Sequence, residues 1–265
     1  MERQYRDASN LNARVTLQAR FSTNAYGWHR WVFDRLELPP RARLLELGCG
    51  PGLLWRENLE RVPEGWSMTL TDASPGMLGE AERHLGADRR FAFQVVDAQK
   101  IPFEGSAFDA VVANNMLYQV PDLARALSEI ARVLKPGGSL YATTVGRDHM
   151  REMGWMLTAL DPDHPPDELI WYYLKFNLEN AAEHLSRLFS EVSLIRYEDA
   201  LSVTETRALV DYLFSTPIVQ SAADRTSKEE FHGRVVALET AIQWDLASRG
   251  EIQISKQTGM FVARR

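Results

Sequence analysis

Three closely spaced glycines follow a short apolar run near residue 45. Gly48, Gly50 and Gly52 alternate with single residues after the run 44–47, and a helical pattern begins directly afterwards. A glycine-rich turn between a strand and a helix lets the backbone approach a ligand closely at the carboxyl end of a sheet. The dinucleotide-binding pattern would need its third glycine at position 53, which is Leu53. The turn therefore indicates a ligand site and disfavours a nicotinamide or flavin cofactor.

Two acidic residues follow the next two apolar runs. Asp72 comes directly after SMTLT, and Asp97 follows FAFQVV. A carboxylate at a strand end can accept hydrogen bonds from both hydroxyls of a ribose, and a second carboxylate can accept one from the exocyclic amine of adenine. Together with the glycine turn, the two acids predict an adenosine pocket.

The elements that must position these residues alternate between strand-like and helical patterns. The predicted strands are 44–47, 67–71, 91–96, 108–113 and 139–145, and the predicted helices between them are 52–60, 75–85 and 122–134. Such alternation predicts a parallel sheet with crossover helices. The segment 135–138, Lys-Pro-Gly-Gly, is expected to end the third helix and turn the chain into the fifth strand.

The rest of the chain has a looser pattern. Residues 1–38 read as helical, and further helices are predicted at 179–189, 204–216 and 228–249, with a strand at 191–197. The C-terminal segment EIQISKQTGMFVARR contains two short β-like runs that suit a closing antiparallel strand or a hairpin.

Composition excludes several classes of protein. The 265 residues are 45% hydrophobic and 25% charged, which indicates a folded globular chain. A net charge of -6 and a pI near 5.6 disfavour nucleic acid as the main partner. The lone Cys49 cannot form an internal disulfide, and neither a signal peptide nor an apolar run of ~18 residues is visible. We therefore expect a soluble cytoplasmic protein without a membrane partner.

Five segments in order resemble the class I S-adenosylmethionine-dependent methyltransferases. They are ELGCGPG (46–52), LTDASPGML (70–78), VVDAQKIPF (95–103), FDAVVANNMLYQV (108–120) and ARVLKPGGSLYATT (131–144). The resemblance implies an α/β fold with a Rossmann-like seven-stranded sheet of order 3-2-1-4-5-7-6, the last strand antiparallel. It also implies an N-terminal helical lid over 1–38 and a methyltransferase domain over 39–265, with cap insertions at about 147–176 and 204–250.

The resemblance further assigns S-adenosyl-L-methionine as the methyl donor, with S-adenosyl-L-homocysteine as the product. Glu46 would steady the glycine turn or reach the amino acid end, and Asp72 would hold the ribose hydroxyls. The other implied contacts to the donor are Gly48, Gly50, Gly52, Ala73, Met77, Asp97, Ala98 and Asn114.

The predicted reaction is methyl transfer to an O, N or C atom of a small, largely apolar molecule, with a secondary metabolite as the leading acceptor. The alternative is an S-adenosylmethionine-binding protein with a cyclase or regulatory role. No metal is expected, because metal-dependent relatives place a carboxylate where this chain has Asn114 and Asn115. The acidic run 161–164 with Asp167 reads as a solvated loop rather than a metal cluster. The sequence leaves the oligomeric state open, and a homo-oligomer is one alternative.

Five further side chains are candidates for a role in the site or in packing. Arg20 and Tyr26 lie in a segment, 14–31, that we expect to close over the methyl donor, with Arg20 pairing with its carboxylate; the alternative is a helix that only packs on the sheet. His149 follows the fifth strand and is the candidate general base, or a loop histidine that merely lines the pocket. Tyr118 is the candidate orienting hydroxyl. Cys49 is expected to pack rather than react.

An aromatic group in the second half of the chain also has two readings. It either lines an apolar acceptor cavity or forms the core of the insertions. Its members are Trp155, Trp171, Tyr172, Tyr173, Phe176, Tyr212 and Phe214.

Overall fold

The computed structural model describes residues 9–164 and 175–265. The described chain divides into two compact units. The sheet unit comprises residues 26–147, 175–197 and 258–265, and the helical unit comprises 9–25, 148–164 and 198–257. Trp171, Tyr172, Tyr173 and Asp167 lie outside the described residues.

The helices and strands are as follows. The helices are α1 (Ser9–Phe21), α2 (Trp28–Phe33), α3 (Leu53–Arg56), α4 (Pro75–Leu85), α5 (Leu123–Val133), α6 (Gly154–Leu160), α7 (Ala181–Leu185), α8 (Thr206–Phe214), α9 (Pro217–Arg225) and α10 (Lys228–Arg249). Short 3-10 helices cover Leu59–Arg61, Leu117–Gln119 and Arg151–Met153. The strands are β1 (Ala42–Leu47), β2 (Trp66–Asp72), β3 (Phe91–Val95), β4 (Phe108–Asn114), β5 (Leu134–Val145), β6 (Glu191–Tyr197), β7 (Ala200–Val203), β8 (Ile252–Ser255) and β9 (Thr258–Arg264).

The sheet unit is built on seven strands in the order β3-β2-β1-β4-β5-β9-β6. Strands β1 to β5 pair in parallel, and β9 runs antiparallel between β5 and β6. Since β9 is the seventh strand of this sheet along the chain, the predicted order 3-2-1-4-5-7-6 with an antiparallel last strand is confirmed. The parallel strands bring the ends of β1, β2, β3 and β4 to one edge of the sheet.

Both faces of this sheet are buried, as expected for a parallel sheet with crossover helices. Alternate residues of a strand point to opposite faces. Leu44 therefore packs in one apolar cluster, with residues of α2, α3 and α4, whereas Leu45 packs in the other, with residues of α5 and α7. Both leucines are buried, which fixes the register of β1 and hence the position of the glycines that follow it.

Side-chain caps fix where two of the crossover helices begin. The Ser74 hydroxyl accepts a hydrogen bond from the Met77 N–H, with Pro75 in the first turn of α4. The Asp122 carboxylate accepts one from the Arg125 N–H at the start of α5. Such caps satisfy N–H groups that have no partner within the helix, so the chain enters α4 and α5 at a defined residue.

One predicted turn is part of a strand. The segment 135–138 was expected to lie before the fifth strand, but β5 already begins at Leu134. Phe108 pairs with Leu134 and Ala110 pairs with Ser139, so the two strands shift register between these pairs. Gly137, with φ +76°, takes up the extra length as an irregularity at the start of β5.

The helical unit has its own apolar core and a two-stranded sheet. The core joins α1, α6, α8, α9 and α10 through buried residues such as Leu17, Met156 and Leu209. Strand β8 pairs with β7 and not with β9, so the predicted alternative of a C-terminal hairpin is wrong. None of the described helices is long and apolar enough to cross a membrane.

The boundary between the units falls inside the predicted N-terminal lid. Residues 9–25 belong to the helical unit, where Ser22 forms an isolated β-bridge with Leu201. Residues 26–38 belong to the sheet unit. The two parts of this segment therefore belong to different units, and a lid over 1–38 stays a prediction.

Replacement of Gly259 by alanine tests the close packing of β9. A Cβ atom at Gly259 would lie 2.9 Å from the Ile195 carbonyl oxygen and 3.0 Å from Leu194 Cδ1. The carbonyl belongs to the β6 backbone and cannot move without disturbing the ladder. We expect Gly259→Ala to lower the free energy of unfolding by about 1–3 kcal/mol in urea denaturation.

Gly79→Ala is the matched control in the same unit. Gly79 lies in α4 with nothing within 4 Å of an added Cβ, and alanine there should raise the free energy of unfolding by about 0.5–1 kcal/mol. Equal effects of the two substitutions would contradict the packing of β9.

Candidate functional site

The three glycines form a turn that only glycine adopts readily. Gly48, Gly50 and Gly52 have φ values of +64°, +54° and +73°. A Cβ on Gly48 would lie 2.8 Å from Met116 Cβ, so the glycine also lets the chain after β4 pack against the turn. The turn thus places half-buried backbone of Gly48 and Gly50 at the end of β1, beside the chain that follows β4.

Asp72 holds this turn from the end of β2. Its Oδ2 accepts a hydrogen bond from the Gly50 N–H at 2.9 Å, and its Oδ1 accepts one from the Ser74 N–H at 2.8 Å. Burial raises the pKa of this carboxyl above its ordinary value. Because each carboxylate oxygen has two lone pairs, the group can still accept a hydrogen bond from a ligand hydroxyl.

Glu46 lies buried on β1, just before the turn. Its side chain is 2% exposed, and its Oε2 accepts a hydrogen bond from the Trp55 indole N–H at 2.5 Å. Burial, with the nearby charge of Asp72, raises the pKa of Glu46 to about 8. Glu46 is therefore largely a neutral carboxyl at pH 7, and the two acids beside the turn do not carry two full charges.

Asp97 and its neighbours lie beyond the end of β3. The carboxylate of Asp97 is exposed and accepts hydrogen bonds from the Gln99 backbone N–H at 2.8 Å and from the Gln99 side-chain amide at 2.9 Å. The Gln99 Oε1 accepts one from the Asp122 N–H at 3.0 Å, which ties the loop to the start of α5. Of the predicted adenine contacts, Met77 and Ala98 are buried and Ala73 is exposed.

Asn114 ends β4 with its side-chain oxygen fully engaged. Its Oδ1 accepts a hydrogen bond from the Thr143 hydroxyl at 2.7 Å and one from the Trp28 indole N–H at 3.3 Å. The Thr143 oxygen in turn accepts the Asn115 backbone N–H at 2.9 Å. Trp28 is held by stacking on Trp31, with ring centroids 5.3 Å apart. The amide of Asn114 is thus oriented by neighbours on β5 and α2.

The two predicted lid residues make contacts within their own units. Arg20 forms an ion pair with the exposed Glu205 in the helical unit. Tyr26 is 48% exposed in the sheet unit, and its hydroxyl donates to the Asp34 carboxylate. The interaction of Arg20 with a ligand carboxylate stays a prediction, and it would have to compete with Glu205.

The surroundings of His149 differ from those expected of a base. Its Nδ1 accepts the Gln257 N–H at 3.1 Å, so the neutral ring carries its proton on Nε2. Burial, together with the ammonium of Lys256, lowers the pKa of His149 to about 3. The ordinary pKa of histidine lies near 6.5, whereas His149 in this setting stays neutral across pH 5.5–8. Its role as base stays untested, as does that of Tyr118.

Two alternatives weighed on the sequence can be described further. Burial and the charges of Glu46 and Asp72 raise the pKa of the Cys49 thiol, which keeps it protonated and unreactive. Asp161 is buried, and its two oxygens bind the His164 ring and the Arg225 guanidinium. Within 9–164 and 175–265, no group of three His, Cys, Asp or Glu side chains is arranged to hold a metal ion.

The described aromatic residues lie in different surroundings, and a role in lining an acceptor cavity stays a prediction. Phe176 is buried against Phe261 in the core of the sheet unit, with ring centroids 6.3 Å apart. Tyr212 contacts the core of the helical unit, whereas Trp155 and Phe214 are 44% and 39% exposed.

Three residues of the site were not singled out by sequence. Trp55 binds Glu46, Thr143 binds Asn114, and Met116 fills the space beside Gly48. A tryptophan in the helix after the turn was a weak signal for a partner of Glu46. The position of Thr143 opposite Asn114 follows only from the register of β4 and β5.

Part of the chain is similar to known proteins. Residues 45–142 match a family model described as a methyltransferase domain. A malonyl-[acyl-carrier protein] O-methyltransferase from Legionella pneumophila is 35% identical over 125 residues, which are 46% of this chain and 43% of that protein. The matched part thus spans less than half the length of that relative.

Solved structures share the fold over most of the chain. The [4+2]-cyclase SpnF superposes with a TM-score of 0.58 at 23% identity, covering 99% of this chain and 94% of the cyclase. Phosphoethanolamine N-methyltransferase 2 of Haemonchus contortus, in complex with S-adenosyl-L-methionine, superposes with a TM-score of 0.57 at 21% identity, covering 96% of this chain and 56% of that chain.

The raised pKa of Glu46 predicts a specific pH dependence of stability. The unfolded chain loses the Glu46 proton near pH 4.5, whereas the folded protein keeps it to about pH 8. The unfolded state therefore binds fewer protons between these values, and the free energy of unfolding falls as pH rises through this window. Glu46→Gln keeps an acceptor for Trp55 without an ionisable group. We expect its stability relative to wild type to rise by a few kcal/mol, at about 1.4 kcal/mol per pKa unit, from pH 4.5 to 8.

Denaturant titrations at several pH values measure this difference. Glu60→Gln is the control, because that carboxyl is exposed and hydrated in both states. A pH-independent difference between Glu46→Gln and wild type would show that Glu46 ionises normally in the folded protein.

Proposed function

We propose that this chain, whose residues 45–142 match a methyltransferase-domain model, is a class I S-adenosylmethionine-dependent methyltransferase that transfers a methyl group from S-adenosyl-L-methionine to a small molecule. The acceptor atom is O, N or C, and the acceptor is largely apolar, in the manner of a secondary metabolite. The observation that carries the proposal is the glycine turn held by Asp72. It places partly exposed backbone next to a carboxylate that can accept hydrogen bonds from a ribose.

The chemistry of the available groups fits S-adenosylmethionine. The remaining acceptor capacity of the Asp72 carboxylate suits the hydroxyls of a ribose. Asp97 lies past β3, the strand next to β2, and offers an acceptor for an exocyclic amine. The positive φ values of the three glycines shape a turn whose backbone lies close to these acceptors.

The protein's share of the reaction is positioning. The sulfonium of the donor supplies an activated methyl group: the acceptor's lone pair forms the new bond to carbon, the carbon–sulfur pair stays on sulfur, and a neutral thioether leaves. The polar residues along the strand ends hold the donor in one orientation, which converts a bimolecular step into one between aligned groups. A protic acceptor must also lose a proton, for which His149 and Tyr118 stay the predicted candidates.

The largely neutral state of Glu46 is compatible with a cationic ligand in this site. A sulfonium and an ammonium are positive, and a neutral buried carboxyl accepts hydrogen bonds without the cost of a second buried anion beside Asp72. Approach of a positive charge would favour ionisation of Glu46. The site is therefore electrostatically suited to the donor in both states of Glu46.

A non-methylating role is the second candidate, and the likeness to a [4+2]-cyclase concerns the fold alone. The two functions differ in their products. Incubation with S-adenosylmethionine and a panel of small apolar alcohols, amines and activated methylenes should yield S-adenosylhomocysteine and an acceptor heavier by one methylene in mass spectrometry. Binding of the donor without either product would support the cyclase or regulatory role.

Replacement of Asp72 tests the donor site directly. Asp72→Ala removes a carboxylate whose charge-assisted hydrogen bonds to the ribose are worth about 1.5–3 kcal/mol. We expect the dissociation constant for S-adenosylmethionine to rise about 10–100-fold in isothermal titration calorimetry.

Asp109→Ala is the matched control for this substitution. Asp109 also accepts a hydrogen bond from a backbone N–H, that of Arg43 at 2.8 Å. It lies near the amino end of β4, whereas Asp72 lies at the carboxyl end of β2. Its substitution should leave the dissociation constant unchanged. Unaltered donor affinity in folded Asp72→Ala would refute the assignment of the ribose site.

A further inference from the structure

The side-chain amide of Asn114 can be assigned a single orientation. The Trp28 indole nitrogen is a donor only, so the atom that faces it must be the acceptor oxygen Oδ1. The Thr143 hydroxyl donates its proton to the same oxygen. The amide nitrogen Nδ2 therefore points away from both groups, and no hydrogen-bond partner for its two protons lies among the described residues.

The strand order gives the direction in which a bound donor extends. Asp97 follows β3 and Asp72 ends β2, while Gly48 follows β1 and Asn114 ends β4, and these strands are neighbours in that order. A molecule with adenine at β3 and ribose at β2 therefore brings its amino acid end past β1 toward β4. Met116 packs on Gly48, so the end of β4 lies directly beside the glycine turn.

We propose that Trp28 is a positioning residue that holds the amide of Asn114 so that Nδ2 donates to the carboxylate of bound S-adenosylmethionine. The inference rests on the proposed function and adds to it a residue that acts through another. A carboxylate only accepts hydrogen bonds, so it matches a nitrogen whose two protons are both unused. The ammonium on the same carbon only donates and has no use for this nitrogen.

The position of Trp28 explains why an indole serves this purpose. Its ring stacks on Trp31 at an interplanar angle of 17° and meets Tyr197 edge-on, with centroids 5.2 Å apart. These contacts hold the ring in place whatever its N–H does. Phenylalanine at position 28 keeps the ring contacts and removes the N–H, which separates positioning from packing.

The experiment compares S-adenosylmethionine with its decarboxylated analogue, which keeps the adenosine, the sulfonium and the amine. Calorimetry on the full chain measures both dissociation constants. We expect Trp28→Phe to weaken S-adenosylmethionine about 3–10-fold, a part of the 10–100-fold typical of a bond to a charged group. Affinity for the analogue should not change, because the analogue has no carboxylate for Asn114 to bind.

A double-mutant cycle shows whether Trp28 acts through Asn114. Asn114→Ala should weaken S-adenosylmethionine about 10–100-fold and the analogue little. Addition of Trp28→Phe to Asn114→Ala should cause no further loss, since the amide that Trp28 orients is gone.

Two more variants serve as controls. Trp31→Phe alters the same ring stack without touching the Trp28 N–H, so it should leave the ratio of the two affinities as in wild type. Asn114→Asp keeps an acceptor for Trp28 and Thr143 but replaces the amide nitrogen by an anionic oxygen. It should reverse the preference toward the decarboxylated analogue. This variant still tests the contact between Asn114 and the carboxylate if Trp28→Phe does not fold.

The outcomes separate this inference from the proposed function. If the wild-type protein binds neither compound, the proposed function fails. If it binds both equally, or if Trp28→Phe weakens both alike or adds to Asn114→Ala, only the positioning role of Trp28 is overturned.

Discussion

The hydrogen bond from the Gly50 N–H to the Asp72 carboxylate is the contact on which the candidate site depends. It joins the turn after β1 to the end of β2, and a turn built from left-handed glycines has little else to hold it in one conformation. The same carboxylate also accepts a hydrogen bond from the Ser74 N–H at the start of α4. One side chain thus fixes two backbone segments, and it keeps lone pairs for a ligand because each bond uses only one of them.

This arrangement explains the state of Glu46. Two ionised carboxylates beside one buried turn would repel each other with little water to screen them. Asp72 has backbone N–H groups that stabilise its charge, whereas Glu46 has one indole N–H and is almost fully buried. The proton therefore stays on Glu46. The contrast arises first from the complete burial of Glu46 and then from the larger number of donors around Asp72, since the two side chains have similar intrinsic pKa values.

Local patterns were sufficient to predict the elements near the site. The helix 75–85 has its cap residue and proline in sequence, and it is observed with those bounds. Helix α9 was missed although Thr216 and Pro217 carried the same signal, and the Thr216 hydroxyl does accept the Val219 N–H. By contrast, the partner of β8 could not be predicted, because β7 lies almost fifty residues earlier and pairing at that distance depends on the packing of the intervening helices.

The chemistry of individual side chains was harder to predict than their positions. Asp72 and Glu46 stand in the site that their spacing indicated, but the protonation of Glu46 depends on burial, which the sequence does not report. His149 is a second example, because burial beside Lys256 lowers its pKa far below the ordinary value for histidine. The orientation of Asn114 depends on Thr143 and Trp28, which meet it only once β5 and α2 are in place.

The strand order turns these separate residues into one linear site. Asp97, Asp72, the glycine turn and Asn114 follow four adjacent strands, β3, β2, β1 and β4. Neighbouring strands lie about 4.8 Å apart, so three intervals extend over roughly 14 Å along the edge of the sheet. That length suits a nucleoside joined to an amino acid and exceeds what a nucleoside alone would need. The order of these groups along the edge, an exposed acid, a carboxylate held by backbone N–H groups, a glycine turn and an amide, therefore follows directly from the topology of the sheet.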